Sequence, residues 1–197
     1  MAQDQPTKLA RADKSELRRQ LIIEAAATLF ILKGFHQTGM RDIASQAGIS
    51  LGNLYNHFKG KQEIIVAIAE METAETEPLL KLLETSGATG EDALITFAKA
   101  YFRICSQPEN AALTAEIIAE VFRNPETGRA FSGTRARLVA ALLPHMPETY
   151  SNPSAAAGLV LDLIERAGQS AVGTGAGARK DIETALLEML ERTVRPA

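Results

Sequence analysis

Apolar residues recur three and four positions apart along most of this chain, and strand-like alternation is scarce. The pattern predicts an all-α protein. Leu17, Leu21, Ala25 and Leu29 form a stripe at four-residue spacing, with Ile22, Ala26 and Phe30 beside it. Asp13, with Glu16 three residues on, has the form of a capping box, and Gly34 closes the helix. Residues 1–12 read as a flexible arm carrying Lys8 and Arg11.

Two much shorter helices follow. The first spans about Met40 to Ala47, capped by Thr38 or Gly39, with Asp42 in its first turn where a carboxylate suits the positive helix end. Ile43, Ala44 and Ala47 make its apolar face, and the two alanines allow a crossing helix to come close. Gly48 stops it, because glycine enters the left-handed region without penalty. Ser50 is a good N-cap for the next helix, Leu51 to about Phe58, whose inward residues are Leu54 and Phe58.

The positions left over are Gly52, Asn53, Tyr55, Asn56 and His57. Glycine weakens a helix by about 1 kcal/mol relative to alanine, so its presence needs a reason. A backbone that approaches DNA bases closely supplies one. Asn pairs with adenine edges, Tyr and His bond phosphate oxygens, and Lys59 and Lys61 flank the helix end. Two helices, a tight turn and a polar outer face are the layout that places a helix in the major groove.

Met40-Arg41-Asp42-Ile43-Ala44, Ala47-Gly48-Ile49-Ser50, Gly52-Asn53-Leu54-Tyr55-Asn56-His57-Phe58 and Lys61 resemble the DNA-binding domain of the TetR family of bacterial transcriptional regulators. Ala25 to Phe30 and Gly34-Phe35 also look like that family's first helix and its exit. The resemblance implies that Tyr55, His57 and Lys61 meet phosphates, and that Leu51, Gly52 and Asn56 lie at or near the bases. Gly39 departs from the family's more usual Ser or Thr, and Thr38 is the substitute. The expected DNA-binding set is Thr38, Gly39, Arg41, Ser50, Leu51, Gly52, Asn53, Tyr55, Asn56, His57, Lys59 and Lys61. The expected division is a helix-turn-helix domain over 13–68 and a helical ligand-binding and dimerisation domain over 69–197.

The helix opening at Lys61 carries Ile64, Ile65, Ile68 and Met71, then turns acidic, and Pro78 is expected to kink or end it. Gly87 and Gly90 mark a loop. Further helices carry Leu94 to Cys105, Leu113 to Phe122, and Phe131 to Leu142. Asn152-Pro153 supplies an N-cap and a first-turn proline for a helix through Ala171, and the last helix carries Ile182 to Leu190.

The resemblance implies that the last two helices meet their copies in a homodimer. Ala156, Leu159, Val160, Leu163, Ile164, Ala167, Ile182, Leu186, Met189 and Leu190 are the expected interface. A two-fold pair also reads a palindrome and doubles the phosphate contacts. The resemblance further implies a small-molecule effector, for which Phe97, Tyr101, Cys105, Ile117, Glu120, Phe122 and Phe131 are candidate lining residues. The effector must prefer the state that does not span two half-sites.

Composition narrows the classes. Net charge is −3, which looks wrong for a DNA binder until the chain is divided. Residues 1–67 carry nine Lys/Arg and six Asp/Glu, net +3, leaving −6 on the remainder. A basic head with an acidic body disfavours an architectural DNA protein, the alternative reading, which would carry a basic body. One cysteine precludes an intrachain disulfide, and no apolar run approaches a membrane span, so a cytoplasmic protein is expected. Three dispersed histidines and no nucleophile, phosphate-loop or dinucleotide motif argue against an enzyme, and no cofactor or metal is expected.

Overall fold

The computed structural model describes residues 8–85 and 87–194; their regular structure is helical, with no strand among them. The chain divides into two compact units, the first ending at Ile68 and the second beginning at Ala69.

The first unit is built on α1 (Lys8–Lys33), α2 (Met40–Gln46) and α3 (Leu51–His57), with the opening turns of α4 (Lys61–Thr85). α1 is already helical at Lys8, the first described residue, so Asp13 and Glu16 lie inside the helix and form no capping box. The physical reason is that Lys8-Leu9-Ala10-Arg11-Ala12 are all good helix formers, so the helix already runs through them before Asp13. Of the expected arm, residues 1–7 lie outside the described residues, as do the side chains of Lys8 and Arg11. The core stripe also differs from expectation. Leu17 and Leu21 are 66% and 52% exposed, whereas Ile22, Ile23, Ala26 and Phe30 are buried. A 26-residue helix is about 39 Å long, and two seven-residue helices of about 10 Å cover only part of it.

The turn between α2 and α3 follows from its sequence. Gly48 has φ of +66°, its N–H donates to the Ser45 carbonyl, and the Ile49 N–H donates to the Ala44 carbonyl. That pair of bonds is a Schellman closure, which pairs carbonyls the helix end would leave orphaned. Ser50 Oγ then accepts from the Asn53 N–H at 3.2 Å and starts α3.

The second unit comprises the later part of α4, α5 (Gly90–Cys105), α6 (Pro108–Arg123), α7 (Pro125–Leu142) with a 3-10 turn at Leu143–His145, α8 (Pro153–Ala171) and α9 (Ala176–Val194). α4 continues through Pro78 instead of ending there. The lost backbone bond is offset by burial of Leu79 and Leu83 on the following turn. α5 packs on both α8 and α9 around Phe97, Phe102, Leu161, Ile164, Leu186 and Leu190. Gly168 of α8 sits against Cys105 of α5: a Cβ there would fall 2.5 Å from the Cys105 Cβ. Asn152 caps α8 by accepting from the Ala155 N–H at 3.0 Å, with Pro153 in the first turn.

Candidate nucleic-acid interface

The inner side of α3 is anchored by Leu54, fully buried, and Phe58, 3% exposed. The outer side carries Gly52, Tyr55 and Asn56, all exposed and together on one face. Tyr55 is half exposed, so it is not a core aromatic. Leu51, Asn53 and His57 flank that face and are partly buried. A Cβ at Gly52 would meet no protein atom within 4 Å. The fold itself therefore does not require glycine at this position.

Thr38 is corrected. Its side chain is 1% exposed, and its hydroxyl lies 2.9 Å from the Gly34 carbonyl and 3.2 Å from the Leu29 carbonyl. It fastens the end of α1 and does not face a phosphate. The N-cap of α2 is Gly39, whose N–H donates to Asp42 Oδ2 at 2.9 Å. Asp42 thus supplies the side chain that glycine lacks, and it also meets Lys33 at 3.9 Å. Both backbone groups of Gly39 are thus engaged, its carbonyl accepting from the Ile43 N–H at 3.1 Å, and it has no side chain to offer.

Lys61 is held inward. Its Nζ donates to the Phe35 carbonyl at 2.7 Å and lies 4.6 Å from the centre of the Phe35 ring. Phe35 in turn meets Phe30 edge to face at 5.0 Å. The ammonium therefore fixes the loop after α1, and its charge is partly spent inside the protein. At the start of α4, the Lys59 N–H donates to Glu63 Oε2 at 2.7 Å, so a carboxylate already occupies that helix end. Arg41, Ser50 and Lys59 are exposed beside the α3 face. Arg19 stacks 5.4 Å from the Phe58 ring centre, a support for α3 that helical periodicity did not single out. A basic residue opposite a buried aromatic is too common in sequence to have signalled it.

The other expected sites are placed as follows. Phe97 is fully buried and Tyr101 nearly so, with the Tyr101 hydroxyl donating to Glu165 Oε1 at 2.8 Å. Burial pushes the Glu165 carboxyl above its usual range; the Tyr101 bond and Arg135 oppose that shift, and Asp162 adds to it. Burial, with Cys105 and Glu165 adding, also raises the Tyr101 phenol. Ile117 and Glu120 are buried, while Phe131 and Cys105 are partly so. Phe122 is 86% exposed, a correction: the buried side of α6 carries Leu113, Ile117 and Glu120, and Phe122 lies outside it.

Among the expected dimer residues, Val160, Ile164, Leu186 and Leu190 are buried within the chain's own core. Their stripe faces α5. Leu159 and Met189 are 68% and 53% exposed, and Ala156, Leu163, Ala167 and Ile182 are partly exposed. No described helix is long and apolar enough to cross a membrane, and no group of His, Cys, Asp or Glu among the described residues is placed to hold a metal.

Comparison with known proteins adds to this geometry. Residues 22–68 match the family model described as bacterial regulatory proteins, tetR family. The chain is 42% identical over 65 residues to the HTH-type transcriptional repressor KstR2 of Mycolicibacterium smegmatis, covering 33% of this chain and 29% of that protein. It is 42% identical over 60 residues to the HTH-type transcriptional activator FasR of the same organism, covering 30% and 27%. The matched stretch thus spans less than a third of either relative. Over a greater length, Salmonella enterica GusR superposes with a TM-score of 0.73 at 26% identity, covering 90% of this chain and 95% of that one.

Proposed function

We propose that this chain, which belongs to the tetR family of bacterial regulatory proteins, is a sequence-specific repressor of transcription that binds a palindromic operator as a homodimer and leaves it on binding a small effector. The observation that carries the reading is the outer face of α3. Gly52, Tyr55 and Asn56 project from a helix whose other side is locked by Leu54 and Phe58. A rigid support with a glycine at the centre of its exposed face suits close backbone approach to base edges.

Arg41, Ser50, Lys59 and His57 surround that face as phosphate contacts, while Leu51, Asn53 and Asn56 read bases. The Thr38 and Lys61 side chains position the loops that carry these groups. One α3 covers only a few base pairs, so two copies one helical turn apart give usable specificity. The exposed Leu159 and Met189, with the half-covered Ala156, Leu163, Ala167 and Ile182, are the surface that a second copy covers. Burying such side chains is the main source of association energy between subunits.

The relatives matched over the DNA-binding stretch include a repressor and an activator. The test is therefore made on the protein. Tyr55→Ala is expected to lower operator affinity about tenfold or more, as loss of one good DNA contact does, with the helical circular dichroism unchanged. Wild-type affinity in that variant would reject α3 as the reading helix. Equal competition by random duplex at fixed salt would favour an architectural DNA protein instead.

A further inference from the structure

We propose that a small amphipathic carboxylate binds in the cleft between the end of α4 and the end of α7, anchored by the Arg137 guanidinium. The inference rests on the effector-binding reading above and names the chemistry of the effector. The cleft has a volume of about 590 Å³, within the ~300–1,000 Å³ usual for small-molecule sites. Leu80 and Leu83 of α4, Ala141 of α7 and Pro144 of the following turn give it apolar walls. None of the aromatic residues expected from the sequence lines it.

Arg137 decides the ligand's charge. Its Nη2 donates to Glu77 Oε2 of α4 at 2.6 Å. A guanidinium carries five N–H donors in a planar fork, and the Arg137 Nε and Nη1 have no acceptor among the described residues. The Glu77 bond orients the side chain, although both partners are nearly half exposed, and it leaves the other edge of the fork for a second carboxylate. Glu84 and His145 also line the cleft. Neither is held by a hydrogen bond or ion pair among the described residues, so a cation at Glu84 lacks the fixed partner that an anion finds at Arg137.

A bound carboxylate shares Arg137 with Glu77, and the two anions repel each other. Glu77 immediately precedes Pro78, which gives α4 no amide hydrogen at that turn. The ligand's charge therefore acts on α4 where its backbone bonding is already interrupted.

The test is calorimetric titration of the full-length protein with straight-chain alkanoates of rising length, below micelle-forming concentrations, beside the matching alcohols and amines. Alkanoates are expected to bind, with the alcohols weaker by about tenfold or more. Arg137→Gln should remove that preference, Glu77→Gln should strengthen alkanoate binding, and Ala141→Trp should block it. Wild-type alkanoate affinity in Arg137→Gln or in Ala141→Trp would overturn the assignment, as would preferential binding of the amines. Where Arg137→Gln or Ala141→Trp fails to fold, unchanged or weaker alkanoate binding in Glu77→Gln overturns the assignment. DNA binding by the same unliganded preparations separates the two readings. Intact DNA binding without alkanoate binding overturns the cleft assignment alone, whereas failure of the unliganded wild type on DNA overturns the regulator reading.

Discussion

Lys61 Nζ lies 2.7 Å from the Phe35 carbonyl and over the Phe35 ring, tying the first residue of α4 to the loop that precedes α2. A cation held this way contributes to the fold before it contributes to DNA binding. Lys61→Ala is expected to destabilise the protein by about 1–2 kcal/mol. It should leave the slope of log affinity against log salt nearly unchanged. Lys59→Ala should do the reverse, leaving the melting temperature alone and lowering the slope by about one. Thermal denaturation and salt titration of the two variants check this.

Gly52→Ala separates folding from recognition. Nothing in the protein lies within 4 Å of the added methyl, and alanine is the better helix former by about 1 kcal/mol. The variant is expected to be as stable as the parent or more so, yet to bind its operator about tenfold or more weakly. Loss of stability, or unchanged binding, would show that the glycine serves the fold.

Most of the DNA-binding unit was legible in the sequence because its determinants are local. Gly48, Ser50 and the spacing of Leu54 and Phe58 each act within a turn or two of themselves. What was not legible depends on distant partners. Leu17 and Leu21 share their spacing with Ala25 and Leu29, and periodicity alone does not say where the short α2 and α3 stop covering α1. Val160, Ile164, Leu186 and Leu190 have the same character whether they face α5 or a second subunit. Thr38 and Lys61 carry groups suited to phosphate, and only the folded loop shows that backbone carbonyls reach them first.

Gly168→Ala tests the close approach of α8 to α5. The new Cβ would lie 2.5 Å from the Cys105 Cβ and 2.9 Å from its backbone carbon. Overpacking of this kind costs about 1–3 kcal/mol, to be read from urea denaturation. Cys105→Gly in the same chain should recover only part of the loss, because the backbone clash remains.

Glu165 sets a pH dependence. Its folded carboxyl titrates above the ordinary value of 4.5, so the folded state holds a proton that the unfolded chain releases. Stability is then greatest below the ordinary value and falls as pH rises from there through the folded value. Glu165→Gln keeps a hydrogen-bonding partner for Tyr101 and removes the titration. Urea denaturation across that range should show the wild type losing stability with rising pH relative to the variant. Parallel curves would contradict this.

The account's central claim is that two copies of α3 read one palindrome, and the most direct measurement is selection of bound sequences from a random duplex pool by the full-length protein. The account predicts an enriched motif of two inverted half-sites whose centres are about one helical turn, ~34–36 Å, or a multiple of it apart, lost on Tyr55→Ala. A pool that stays random, or a single asymmetric site bound by one copy, would contradict it.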